Sequence, residues 1–199
     1  GEDVDNPVLL FLAGGPGGSH LASSRIHLAA LENRFVVVCW DQPGAAKSYG
    51  AVPLASLTPE RYVSDGLELA AKLRQRFDQD KIYLLGESWG SILGVWMVQR
   101  QPELFHAFAG TGQMVDLLET DTIDYELAQQ IAQARGDAER VAALQRQGPP
   151  PYYGEDVAWK TGVYLLYLFD TMGENPAISD STDNTFKNLA GPEYGLVDK

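Results

Sequence analysis

The chain has 199 residues, with 15 Lys and Arg against 27 Asp and Glu, a formal net charge of −12. Hydrophobic residues make up 45%, enough to build a core, which excludes a disordered chain. The acidic excess would repel a polyphosphate, so no nucleic-acid partner is expected. The single cysteine, Cys39, excludes an internal disulfide. No apolar run approaches the roughly 20 residues needed to cross a bilayer, so no membrane span is expected.

In chain order, the apolar run Val8 to Leu12 ends at a glycine cluster and predicts a buried strand. Ser19 to Asn33 predicts a helix with Ile26, Leu28 and Leu31 on its apolar side. Phe35 to Trp40 predicts a second strand ending at Asp41, and residues 42–57, with Gly44, Gly50 and Pro53, read as loop. Thr58-Pro59 reads as an N-cap followed by proline at the first helical position. The helix it opens is expected to run to about Phe77, with Val63, Leu67, Ala70 and Leu73 toward the core. Lys81 to Leu85 predicts a third strand, Ser91 to Arg100 a helix, and Ala107 to Ala109 a fourth strand.

This β-α-β-α-β-α-β order implies an α/β fold with a mostly parallel sheet, whose sites lie at the carboxyl ends of the strands. From about Asp116 the β pattern stops. Tyr125 to Gln147 predicts one long helix, broken by Gly148 and Pro149 to Pro151, and Asp156 to Met172 predicts another. Trp159, Tyr164 and Tyr167 on the latter read as core or as the lining of a pocket. The charge divides unevenly: residues 1–115 carry 9 basic and 12 acidic side chains, and residues 116–199 carry 6 and 15. The expected division is therefore a sheet-containing part over 1–115 and a mainly helical part over 116–199.

The sharpest chemical signal is Gly86-Glu87-Ser88-Trp89-Gly90, a G-x-S-x-G pentapeptide with a predicted strand before it and a predicted helix after it. A serine on so tight a turn projects its hydroxyl outward, and bulky neighbours at 86 and 90 would clash. The helix N-terminus beneath favours developing negative charge. Ser88 reads as a nucleophile, with the backbone N–H of Trp89 as one oxyanion donor. The second signal is Ala13-Gly14-Gly15-Pro16-Gly17-Gly18 after the first strand, whose glycines let backbone N–H groups approach a ligand closely. A dinucleotide loop is the rival reading, but the third glycine of that fingerprint would fall at His20. The third segment, Asp41-Gln42-Pro43-Gly44-Ala45-Ala46-Lys47-Ser48, reads by its polarity as a solvated turn beside the site.

Together the three segments resemble those of the proline iminopeptidases and their relatives among the α/β-hydrolases: H-G-G-P-G, D-Q-R-G-x-G-x-S and G-G-S-W-G-S. The departures are Ala13 for His, Pro43 for Arg, and Ala46 and Glu87 for glycines. The resemblance covers roughly residues 7–115. It implies an α/β-hydrolase fold, a partial hydrolase core over 1–115, and over 116–199 the helical cap such enzymes insert above the site. It implies Ser88 as nucleophile and Gly15 and Trp89 as the oxyanion donors. Gly14, His20 and Glu87 are the expected substrate contacts. The implied substrate is a small peptide or other small molecule, with no cofactor and no metal. The implied activity is release of N-terminal proline or another small residue. Hydrolysis of esters, amides or lactones, or a non-catalytic fragment on the same scaffold, are the alternatives.

A serine mechanism needs a base and an acid that orients it, and in this fold the order is Ser, then Asp or Glu, then His. His20 and His27 precede Ser88, and His106 opens the next strand at the wrong end for the site. All three read as structural or surface residues, His20 alone lying close enough to the glycine loop to touch substrate. Asp116 follows the fourth strand and reads as the opening of the helical region rather than the triad acid. The expectation is a truncated chain, with the acid and the histidine on a segment beyond Lys199.

Overall fold

The structure, a computed structural model, describes residues 5–18, 20–153 and 156–174, apart from the side chain of Ala158. Ser19, where the first helix was expected to open, and the tail from residue 175 lie outside the described residues. Two compact units result, one of residues 5–114 and one of residues 115–174 within the described chain.

In the first unit the strands are β1 (Val8–Leu12), β2 (Val36–Cys39), β3 (Ile82–Glu87) and β4 (Phe105–Thr111). They form one sheet in the order β2-β1-β3-β4, every pairing parallel. Parallel pairs need crossovers, and helices supply them. Here they are α1 (Leu21–His27) with a 3-10 turn at Ala29–Asn33, α2 (Pro59–Arg76) and α3 (Trp89–Arg100). β1 is buried along its whole length, as its unbroken apolar run requires of a central strand. The chain goes out from β1 to β2, then returns to the other side of β1 as β3. The crevice at the carboxyl ends of β1 and β3 is thus the point where strand order reverses, where such sheets bind ligands.

The core forms where Leu10, Leu12, Ile82 and Leu84 of the sheet meet Val63 of α2 and Leu93 and Met97 of α3, all nearly or wholly buried. Each large side chain so buried contributes about 1.5–3 kcal/mol. Thr58 caps α2 by accepting the Arg61 N–H at 3.2 Å, with Pro59 at the first position. The first helix differs from expectation. It ends at His27, and it turns Ser23 and Ser24 inward while Ile26 is exposed. The Ser23 hydroxyl is satisfied locally by donating to the His20 carbonyl at 3.1 Å.

The second unit holds α4 (Leu117–Arg135), α5 (Ala138–Gln147) and α6 (Val157–Gly173). The single helix expected over 125–147 is two. Gly136 adopts the left-handed conformation (φ 68°) that closes α4, and Asp137 caps α5 by accepting the Arg140 N–H at 2.9 Å. Asp116 caps α4, accepting the N–H groups of Leu118 and Glu119 at 3.0 Å each. The core gathers Tyr125, Ala128, Ala132, Leu144, Tyr164 and Leu168, with Tyr125 and Tyr164 edge to face. Tyr164 and Tyr167 are core residues, whereas Trp159 on the same helix is exposed. Among the described residues no helix is long and apolar enough to cross a membrane.

Candidate active site

Ser88 stands alone between the last residue of β3 and the first of α3, at φ 51° and ψ −119°. Such a conformation costs about 1–3 kcal/mol in a non-glycine residue and persists only where the surroundings impose it. Here they do. The Ser88 N–H donates to the Thr111 carbonyl at 3.0 Å, and the Ser88 carbonyl accepts from the Ser91 N–H at 2.8 Å and the Ser91 hydroxyl at 2.6 Å. The buried Ser91 hydroxyl in turn accepts the Met114 N–H at 3.1 Å, tying the loop after β4 to the turn. The flanking glycines are steric necessities. A β-carbon at Gly86 would strike the Gly90 carbonyl, and one at Gly90 would strike the carbonyl of Leu12. The Ser88 hydroxyl faces the Met114 thioether at 3.8 Å, a weak acceptor.

Because Leu12 pairs with Gly86, the glycine loop leaves β1 directly beside the serine turn. A β-carbon at Gly14 would lie 3.4 Å from the Ser88 β-carbon and 3.7 Å from His20 Cε1. Gly15 sits at φ 140°, and a side chain there would crowd the backbone nitrogens of Gly17 (2.7 Å) and Gly18 (2.9 Å). The chain curls tightly at this point, with no room for a side chain. Trp89 opens α3, so its N–H has no acceptor within the helix and lies at the positive end of the helix dipole.

His20 and Glu87 meet beside this loop, Nδ1 to Oε2 at 3.5 Å. Hydrogen bonding to the imidazole holds the Glu87 carboxyl below its ordinary value of 4.5, against the opposing effect of burial. The other edge of the His20 ring packs on Gly18. The structure therefore gathers Gly14, Ser88, His20 and Glu87 into one cluster. His27 is exposed at the end of α1, and the exposed His106 on β4 stacks on Tyr83 at 5.0 Å between ring centres. Among the described residues no group of three His, Cys, Asp or Glu is arranged to hold a metal ion.

The polar segment after β2 is not a solvated turn at its most important residue. Gln42 is 1% exposed. Its Nε2 donates to the Ala13 carbonyl at 3.3 Å, and its Oε1 accepts the Trp89 indole N–H at 3.1 Å. Next to it, the Pro43 carbonyl accepts the Tyr62 hydroxyl at 2.9 Å, and the Tyr62 ring meets the Trp89 ring edge to face at 5.6 Å. The signals available in the sequence were its position, a glutamine at the carboxyl end of a parallel strand, and its match to the second residue of the D-Q-R-G-x-G-x-S segment.

Residues 7–147 match the alpha/beta hydrolase fold family. Across 98% of its length the chain is 34% identical to the probable aminopeptidase YbaC of Bacillus subtilis, covering 61% of that protein. Over 104 residues it is 31% identical to a proline iminopeptidase of Lactobacillus delbrueckii subsp. bulgaricus, of which it covers 35%. The chain thus spans less than two thirds of the length of these relatives. Among solved structures, the proline iminopeptidase of Mycobacterium smegmatis superposes with a TM-score of 0.61 at 22% identity, over 96% of this chain and 60% of that one. Strand order, the serine turn between β3 and α3, and these matches agree, and the chain belongs to the alpha/beta hydrolase fold family, with proline iminopeptidase-like relatives.

Proposed function

We propose that the protein is a serine hydrolase that releases N-terminal proline or another small residue from short peptides. The observation that carries this reading is Ser88, held at φ 51° at the top of the sheet with the glycine loop packed against it. In the proposed reaction Ser88 Oγ attacks the scissile carbonyl carbon and gives its proton to a base. The backbone N–H groups of Gly15 and Trp89 hold the oxyanion. The carbon–nitrogen bond then breaks, the leaving amine takes the proton from the base, and water hydrolyses the acyl-enzyme. The base and the acid that orients it come, in this proposal, from a segment beyond Lys199, for which the greater length of the relatives leaves room.

The proposed substrate contacts are Gly14, His20 and Glu87. Glu87 supplies a carboxylate beside the nucleophile, suited to a substrate ammonium. The acidic helical region, proposed as a cap, favours the same charge. The test is labelling of the full-length protein with a fluorophosphonate probe, with hydrolysis of proline amide and its N-acetylated form assayed in parallel. Labelling that Ser88→Ala abolishes, with the free amine preferred, is the expected result. Equal hydrolysis of both amides would replace the aminopeptidase reading with a general ester or amide hydrolase. Absence of labelling would leave a non-catalytic scaffold.

A further inference from the structure

The two proposed oxyanion donors belong to segments of different stiffness. Trp89 is fixed by the helix it opens. Gly15 belongs to a loop in which four of six residues from 13 to 18 are glycine, and glycine backbone is intrinsically permissive. An oxyanion is held only when both donors stand about 2.7–3.1 Å from where the charge develops. Something must therefore fix the loop against the helix.

We infer that Gln42 is a positioning residue for oxyanion stabilisation, its buried carboxamide holding the glycine loop and the start of α3 at a set separation. This rests on the reading of Ser88 given above. One end of the amide binds the Ala13 carbonyl, two residues before Gly15; the other binds the side chain of Trp89. The orientation of the amide follows from chemistry: an indole N–H only donates and a carbonyl only accepts, so Oε1 must face Trp89 and Nε2 must face Ala13. A glutamate would lose the donor, and a methionine would lose both bonds. With 1% of Gln42 exposed, water cannot stand in for a lost partner. The Trp89 ring is itself held, edge to face, between Tyr62 (5.6 Å) and Trp96 (5.9 Å). Tyr62 returns a hydrogen bond to Pro43, the neighbour of Gln42. Gln42, Trp89, Tyr62 and Pro43 thus form a closed circuit around the carboxamide.

The experiment measures kcat, KM and the second-order rate of fluorophosphonate labelling in the full-length protein. The variants are Gln42→Met, Gln42→Glu, Trp89→Phe and the double variant Gln42→Met/Trp89→Phe, with Ser88→Ala as control and a melting temperature for each. Gln42→Met is expected to lower kcat and labelling rate about ten- to a hundredfold, with KM within about threefold. Trp89→Phe keeps its backbone N–H and most of its ring packing, and is expected to show a smaller loss of the same kind. Because both act through one link, the double variant should fall no further than Gln42→Met alone. A lowered melting temperature with unchanged kcat and labelling per folded molecule would overturn the inference, as would multiplicative losses in the double variant. Should the Gln42 variants not fold, unchanged kcat in Trp89→Phe overturns it. Labelling that Ser88→Ala fails to abolish overturns both the inference and the proposed function. Labelling abolished in Ser88→Ala but undiminished in Gln42→Met overturns the inference alone.

Discussion

In residues 5–114 the glycines of the serine turn stand where backbone meets backbone, whereas in residues 115–174 Gly136, Gly148 and Gly162 have open space where a β-carbon would go. The contrast shows how each unit sets its geometry. In the first, main chain is pressed on main chain: α3 lies against the end of β1, right beside the strained serine. In the second, cohesion comes from side chains meeting between three helices, with Tyr164 wholly buried at the centre. The first arrangement fixes atoms closely at one place. The second tolerates change at its turns and keeps its sensitivity for its few core residues.

Gly90→Ala puts the largest strain on this contrast. The added methyl would strike the Leu12 carbonyl, a backbone atom that cannot swing away. The expected cost is about 3 kcal/mol or more, read by urea unfolding, together with loss of probe labelling at Ser88. Wild-type stability in this variant would dissolve the claimed constraint. Tyr164→Ala attacks the second unit at its centre and should cost about 3 kcal/mol, seen as faster amide exchange across α4 to α6. Unchanged exchange would mean that the helices are held by something other than this cluster. Gly136→Ala applies the Gly90 substitution to the second unit. There is room for the methyl, and only the left-handed φ of 68° opposes it, so the loss should be about 1 kcal/mol. Equal losses from Gly90→Ala and Gly136→Ala would erase the distinction between the units.

How legible each feature was in the sequence follows the same division. The four strands could be read because each is a short apolar run closed by a turn. The serine turn could be read because the small residues that its backbone contacts demand are visible at 86 and 90. Gln42 could be read as part of the Asp41-Gln42 match, but its burial and partners could not, because those partners lie 29 and 47 residues away and a glutamine read alone counts as polar surface. The reversed burial of α1 escaped for a related reason: Ser23 satisfies its hydroxyl locally, which removes the usual objection to burying it. The break between α4 and α5 was written in Gly136-Asp137, a closing glycine followed by a capping aspartate. The helix-favouring Ala, Gln, Glu and Arg on both sides masked it. Trp159 and Tyr164 lie five residues apart on one helix, and only the packing of α4 and α5 decides which is buried.

The smallest expected effect asks whether the first unit also carries contacts as forgiving as those of the second. Glu87 and His20 meet at 3.5 Å with 45% of the Glu87 side chain exposed, so solvent screens much of their attraction. Glu87→Gln should therefore cost only a few tenths of a kcal/mol at neutral pH, on the order of an exposed pair. The sign with pH is fixed by the depressed carboxyl. Its contribution is present above the ordinary value of 4.5 and is lost as pH falls through the lower value of the folded state. Urea midpoints of wild type and variant should thus differ slightly at neutral pH and converge in acid well below 4.5. A gap that persists undiminished into acid would show that the Glu87 contribution comes from hydrogen bonding by the carboxyl group, which the amide does not reproduce, and not from its charge. In that case its position beside Ser88 would give no reason to assign it the substrate ammonium.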